Sequence, residues 1–320
     1  MQLIRLSFCA LAALLATLLA PAAQAANCTV TATTAANLGS QTSYVVQGGT
    51  VPQVTAPAGL TCPAALLNLL GTDYARATAS SAKGFKLMDA SGNAIAYRLS
   101  ADSAGTYTFT QGGTIDYKNS QLLTLLGLGG SDFNTPLYAK LTGTTNLPAG
   151  TYTDTVTINW SWSICRGIGA LGACVLPDIG TGTTIVTVTL VVTKDCRITA
   201  PNVSFGSAPL VAQFNAVTQS VSVACTKGAA YTVAFTSGSA GTARPWRAMS
   251  DGNGHTLQYN IYRADGTTIW DQTNPLSASL PGTGALTPDQ AQVYVAKINP
   301  TQTTPPAGSY TDTISVVVTY

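Results

Sequence analysis

Apolar residues alternate with threonine and serine over short runs along most of the chain, as in Tyr152 to Trp162, Val217 to Val223 and Tyr231 to Phe235. A period of two sends one face of each run toward a core and the other toward solvent, so each run predicts a half-buried β-strand. Glycine, proline and asparagine bound the runs, and sustained helical periodicity is nearly absent. Many short strands separated by turn signals predict an all-β protein built as a sandwich. With 320 residues the chain has room for two such cores.

The runs repeat in order. Asn27 to Ala32 (NCTVTA) matches Asp195 to Ala200 (DCRITA), and each start is followed by a second cysteine, Cys62 or Cys225. Leu87 to Asn93, leading to Tyr97-Arg98, has a counterpart in Met249 to Asn253, leading to Tyr262-Arg263. Pro148 to Thr155 (PAGTYTDT) recurs as Pro306 to Thr313 (PAGSYTDT). Three matches in one order indicate a duplicated unit. The repeat pairs Cys28 with Cys62 and Cys196 with Cys225, which leaves Cys165 and Cys174 to bridge each other.

The two copies end differently. In the first, Tyr152 to Trp162 is followed by a loop and a further alternating run, Thr183 to Thr193, with Val186, Val188, Leu190 and Val192 on one face. In the second, aligned through Tyr152 and Tyr310, the sequence ends at Tyr320, the counterpart of Trp162. The expectation is a first domain that completes itself and a second that lacks its last strand, with Ile314, Val316, Val318 and Tyr320 along the edge of an open groove. Unpaired strand edges of this kind are templates for an added strand. The alternative is a six-stranded sandwich that closes unaided.

Residues Leu3 to Ala20 form an apolar run behind Arg5 and ahead of Ala23-Gln24-Ala25, the pattern of a secretory signal cleaved after Ala25. The expected organisation is a signal over 1–25, an N-terminal domain over 26–193 and a C-terminal domain over 194–320, joined by the short linker Lys194-Asp195. Cleavage would remove Cys9 and leave six cysteines, an even number suited to disulfides in an exported protein. It would also leave only Ala26 and Asn27 ahead of Cys28, so the protein is expected to accept a strand but not to give one. Charged residues make up 9% of the chain, against about a quarter in ordinary proteins. The formal net charge of +2 removes the electrostatic footprint of a nucleic-acid binder.

The two cysteine starts and the two PAG(T/S)YTDT endings resemble the spore coat protein U family, the pilin fold of archaic (Csu-type) chaperone-usher pili. The resemblance covers both repeats. It implies incomplete Ig-like pilin domains held by a periplasmic pilus chaperone, passed through an outer-membrane usher and completed by an N-terminal strand from an adjacent pilin. A two-domain chain that only accepts a strand is then expected at the pilus tip, outside the cell, with its first domain as the adhesin.

Three segments of the first copy have no counterpart in the second and are apolar for loops. They are 63–71 with Leu66, Leu67, Leu69 and Leu70; 121–130 with Leu122, Leu123, Leu125, Leu126 and Leu128; and 166–176 with Ile168, Leu171, Val175 and Leu176. Leucines at such spacings also suit a buried helical turn. The resemblance adds that Csu-type tip adhesins present hydrophobic loops to apolar and abiotic surfaces, so these residues are expected to be exposed and to bind such surfaces, promoting biofilm formation.

Catalysis finds no support in the residue types. The single histidine, His255, sits beside Asn253 and Gly254 in an expected turn, which excludes a histidine-based metal cluster, and no cofactor is implied. Asp154 and Asp312 occupy the same place in separate copies and suit a structural role, while Tyr152 and Tyr310 suit corner hydrogen bonds. No phosphate loop, dinucleotide fingerprint or nucleophile elbow is present. A structural pilin or coat subunit is one alternative. A lectin-like tip using Tyr107, Tyr117, Trp160 or Trp162 against sugar rings is another.

Overall fold

The computed structural model describes residues 27–57, 59–62, 73–119, 121–122, 133–165, 173–174 and 176–320. The proposed signal, 1–25, and most of the three leucine-rich segments lie outside the described residues. The regular structure of the described residues is almost wholly strand. In the first half these are β1 (Thr29–Val30), β2 (Thr33–Thr42), β3 (Val54–Ala56), β4 (Leu60–Cys62), β5 (Tyr74–Ser81), β6 (Lys86–Met88), β7 (Ala94–Ser100), β8 (Thr114–Asp116), β9 (Phe133–Asn134), β10 (Leu137–Leu141), β11 (Gly150–Cys165) and β12 (Pro177–Thr193), with a short helix α1 (Ser43–Gln47) after β2. In the second half they are β13 (Cys196–Thr199), β14 (Val217–Cys225), β15 (Thr232–Phe235), β16 (Arg247–Ser250), β17 (Thr256–Arg263), β18 (Leu276–Ser277), β19 (Gln290–Ile298) and β20 (Val316–Thr319).

The halves share a strand order over most of each sheet. The order β6–β7–β10–β3 in the first reappears as β16–β17–β19–β14 in the second, and β8–β5–β11 reappears as β18–β15–β20. Beyond β11 the first copy continues: β12 pairs antiparallel with it from Gly150↔Val192 to Cys165↔Pro177, and β2 then lies parallel to β12. Beyond β20 no strand follows among the described residues, and the chain at 200–210, where β2 would have its counterpart, takes up no strand. Both copies are Ig-like β-sandwiches, and the second is an incomplete pilin fold.

Each copy has its own core. In the first, Leu87, Ile95, Leu99, Val156, Ile158, Val186, Val188 and Leu190 are fully or almost fully buried, as the alternation of β6, β7, β11 and β12 requires. In the second, Val221, Val233, Phe235, Ile261, Trp270 and Tyr294 form the core, with Phe235 packed edge-on against Trp270 and Tyr294. The described residues hold three disulfides: Cys28–Cys62 and Cys196–Cys225, the pair that the repeat predicts, and Cys165–Cys174, the pairing left over.

The strand expected at Thr183 to Thr193 begins earlier, at Pro177. Gly180 and Gly182 interrupt the apolar alternation for a steric reason: a Cβ on Gly180 would lie 2.3 Å from the Trp162 ring, and one on Gly182 would lie 2.7 Å from Val30. The joint between the halves is short and bonded. Tyr44 of α1 donates its hydroxyl to the Ala224 carbonyl at 2.7 Å, the Ser43 and Thr226 hydroxyls meet at 2.7 Å, and the Arg197 guanidinium lies over the Tyr44 ring.

Candidate functional site

The duplication supplies an internal control for the open edge. Tyr152, Val156 and Ile158 are fully buried, Trp160 is 2% exposed and Trp162 is 6% exposed, because β12 covers them. Their counterparts Tyr310, Ile314, Val316 and Val318 are only partly buried, and Tyr320 is 49% exposed. Between this edge and the 200–205 stretch runs a cleft of about 330 Å³, walled by Val203 and Phe205 on one side and Tyr310, Ile314 and Val316 on the other, with Phe235, Met249 and Tyr259 among its other lining residues. A second cleft of about 320 Å³ continues from Tyr310 past Val211 and Phe214. Together they trace the path that β12 takes through the first copy.

Strand starts are held alike in the two copies. The Asp154 carboxylate is buried and accepts hydrogen bonds from the Ser81 hydroxyl (2.6 Å), the Tyr97 hydroxyl (2.7 Å) and the Lys83 amide (3.1 Å). Asp312 accepts from the Tyr259 hydroxyl (2.5 Å) and the Ser239 amide (2.7 Å). Burial first, then the neighbouring carboxylate, raises the pKa of Tyr97 and of Tyr259. The counterpart of Tyr97 is therefore Tyr259; the sequence match through Tyr262-Arg263 is three residues out, because the two Tyr-Arg pairs fall at different points of β7 and β17. Tyr152 and Tyr310 donate to the Pro148 and Pro306 carbonyls at 2.8 and 2.7 Å, the corner bonds expected of them.

The far pole of the first copy gathers the ends of the leucine-rich segments. Cys62, bridged to Cys28, precedes the first segment and pairs in register with Phe133, which follows the second. Asp73, which follows the first, lies 3.9 Å from the Lys118 amine at the approach to the second and accepts the Cys165 amide at 3.3 Å. Cys165 precedes the third segment, which the Cys165–Cys174 bridge closes. Asp178 completes the cluster by accepting the Cys28 amide at 2.7 Å and the Trp162 indole N–H at 3.1 Å.

Of the thirteen apolar residues predicted to bind surfaces, the described residues include only two. Leu176 is 61% exposed. Leu122 is a correction: it is fully buried and belongs, with Tyr117, to the first core, because the start of its segment is still packed inward. Leu66, Leu67, Leu69, Leu70, Leu123, Leu125, Leu126, Leu128, Ile168, Leu171 and Val175 lie outside the described residues. Ile179, 69% exposed and absent from the sequence prediction, stands on the outward face of β12 beyond Leu176; its place in step with Thr181 and Thr183, opposite to the buried Val186 and Val188, is the signal that could have marked it.

The aromatic residues considered for sugar binding serve packing. Trp160 and Tyr117 pack against each other within the core, tilted by 42° with ring centroids 5.6 Å apart, and the Trp160 and Trp162 indoles donate to Thr184 and Asp178. Tyr107 is partly buried and its hydroxyl contacts Gln121 at 3.3 Å. His255 meets the Asp251 carboxylate at 2.7 Å across a tight turn, and that bond lowers the Asp251 pKa to about 2.

A model of the Spore Coat Protein U domain matches residues 14–159 and again 182–317. A comparison with curated protein sequences finds no match. Among solved structures, the chain is similar to the CsuC–CsuE chaperone–tip adhesion subunit pre-assembly complex from archaic chaperone-usher Csu pili of Acinetobacter baumannii, at 20% identity over 92% of this chain and 100% of that one, with a TM-score of 0.62. Weaker similarities are to the CupB6 tip adhesin from Pseudomonas aeruginosa (13% identity, 83% of this chain, 85% of that chain, TM-score 0.31) and to CfaE, the adhesive subunit of CFA/I fimbria of enterotoxigenic Escherichia coli (11%, 92%, 93%, 0.30). The first of the three shares this chain's fold.

Proposed function

The chain belongs to the Spore Coat Protein U domain family, and from that premise we propose that it is the tip adhesin of a chaperone-usher pilus. The observation that carries the proposal is the contrast between β11, covered by β12, and β20, whose outer edge has no strand among the described residues. One copy fills its own groove and the other offers one, so the protein takes a single strand from a neighbour. A periplasmic chaperone occupies that groove before assembly, an outer-membrane usher carries the subunit to the surface, and an adjacent pilin's N-terminal strand replaces the chaperone. Residues 26–193 act as the adhesin domain and residues 194–320 as the pilin domain.

The adhesive end is the pole where the three leucine-rich segments begin and end. The proximity of Asp73, Lys118 and Cys165, and the pairing of Cys62 with Phe133, support their convergence, and exposed Leu176 and Ile179 on the strand that follows support an apolar contact surface. Leucines there displace water from an apolar or abiotic substratum at about 25 cal/mol per Å². Many pili on one cell sum the gain, and biofilm formation follows.

The test replaces Leu66, Leu67, Leu125 and Leu126 with aspartate in the full chain. Cells should keep their pili and lose attachment to polystyrene. Gold-labelled antibody against the first domain should mark fibre ends. Labelling along the fibre would overturn the tip assignment, and undiminished attachment would overturn the apolar mechanism.

A further inference from the structure

Charged side chains are scarce in this protein, yet among the described residues one oppositely charged pair is nearly enclosed: the Asp73 and Lys118 side chains are each 6% exposed. Enclosing an amine and a carboxylate costs solvation that their attraction only partly returns, and removing both charges for apolar groups is often neutral or stabilising. Stability is therefore a weak reason for the pair. Its place in the chain suggests another.

Asp73 is the first described residue after segment 63–72, Lys118 stands two residues before position 120, and Cys165 is the last described residue before segment 166–172. The Asp73 carboxylate reaches both others, Lys118 by charge and the Cys165 amide by hydrogen bond. Apolar side chains would fill the same space without fixing a direction, whereas a carboxylate bonded to one amide and facing one amine admits few arrangements. Asp116 adds to the order by accepting the Lys118 amide at 3.0 Å while its other oxygen meets Arg76. Burial lowers the Lys118 pKa against the pull of Asp73 and then Asp116, which fits an amine withdrawn from solvent.

We infer that the Asp73–Lys118 pair, with the Cys165 amide bound to it, is a positioning element that holds the ends of the three leucine-rich segments in one fixed arrangement. The inference rests on the adhesive reading of those segments given above. Asp73 and Lys118 act through the segments they hold and do not themselves touch the substratum.

The experiment compares pili carrying full-length Lys118→Arg, Lys118→Met and Asp73→Asn/Lys118→Met. Attachment to polystyrene, pilus number, thermal midpoint and amide exchange at Cys165 are measured for each. Lys118→Arg keeps the charge and should keep attachment. Lys118→Met and the double variant should lose attachment while pilus number stays unchanged, with faster exchange at Cys165. The double variant, which leaves no lone charge enclosed, should also keep its thermal midpoint. Wild-type attachment by either methionine variant would overturn the inference, as would equal loss with arginine and methionine. The segment variant Leu66→Asp/Leu67→Asp separates the two readings. If it still attaches, the adhesive reading fails; if it does not attach while the double variant does, only the anchor fails. Should the double variant yield few pili, the arginine and methionine variants at Lys118 decide alone.

Discussion

Val156 and Ile158 in β11 hold the same two positions as Ile314 and Val316 in the second copy, so nearly the same side chains lie once beneath a strand and once at an open edge. Ile158 is fully buried, and its truncation to alanine should cost about 2–5 kcal/mol. Ile314 is only partly buried, keeps contact with water, and should lose about 1–2 kcal/mol, because less apolar area leaves solvent at about 25 cal/mol per Å². With a complementary strand added in trans, Ile314 becomes enclosed and the cost of Ile314→Ala should rise into the range of Ile158→Ala. Amide exchange measured against urea resolves the two halves separately, through β11 and β12 for the first and β15 and β19 for the second. Equal costs for Ile158→Ala and Ile314→Ala without added strand would refute the reasoning, since both sites would then be equally enclosed.

Other outcomes follow from the same structure. Tyr152 is pushed up to about 12 by burial and then by Asp89, and Tyr97 and Tyr259 are also raised. Unfolded tyrosines release their protons near pH 10, so the folded state binds more protons above that point and loses stability as pH rises; a urea midpoint that stays flat from pH 9 to about pH 11 would contradict this. Gly180→Ala puts a methyl 2.3 Å from the Trp162 ring and should destabilise the first half by about 1–3 kcal/mol, read as faster exchange in β12 with β19 unchanged. Opening Cys165–Cys174, which closes a separation of nine residues, by a double serine substitution should lower stability by about 2–3 kcal/mol, measured as the denaturant midpoint of the first half.

Local patterns carried much of the fold into the sequence. The alternation of Tyr152 to Trp162 and the matched cysteines mark strands and bridges directly, because a period of two and a repeat are visible without knowing what packs on what. The incomplete edge was legible for the same reason, by aligning Tyr310 with Tyr152. What stayed hidden depends on partners far apart in the chain. Ile185 of β12 lies beside Thr33 of β2 across the length of the first half, and nothing near either residue announces that parallel pairing. Gly180 and Gly182 disguise the start of β12 because they answer to Trp162 and Val30 and not to strand propensity. Leu122 shares its composition with the rest of its segment but packs inward. Asp73 and Lys118 look like ordinary surface residues until the fold brings them together.

The most direct test of the incomplete second copy uses a synthetic peptide spanning Thr183 to Thr193, the strand that completes the first. Register in the first copy sets Leu190 opposite Tyr152, Val188 opposite Asp154 and Val186 opposite Val156, so the peptide should align the same residues with Tyr310, Asp312 and Ile314. Added to the full chain, it should protect amides between Asp312 and Val317, the stretch that this register sets opposite the peptide, from exchange and raise the unfolding midpoint of the second half. Full protection of those amides before any peptide is added, with no response afterwards, would contradict the account.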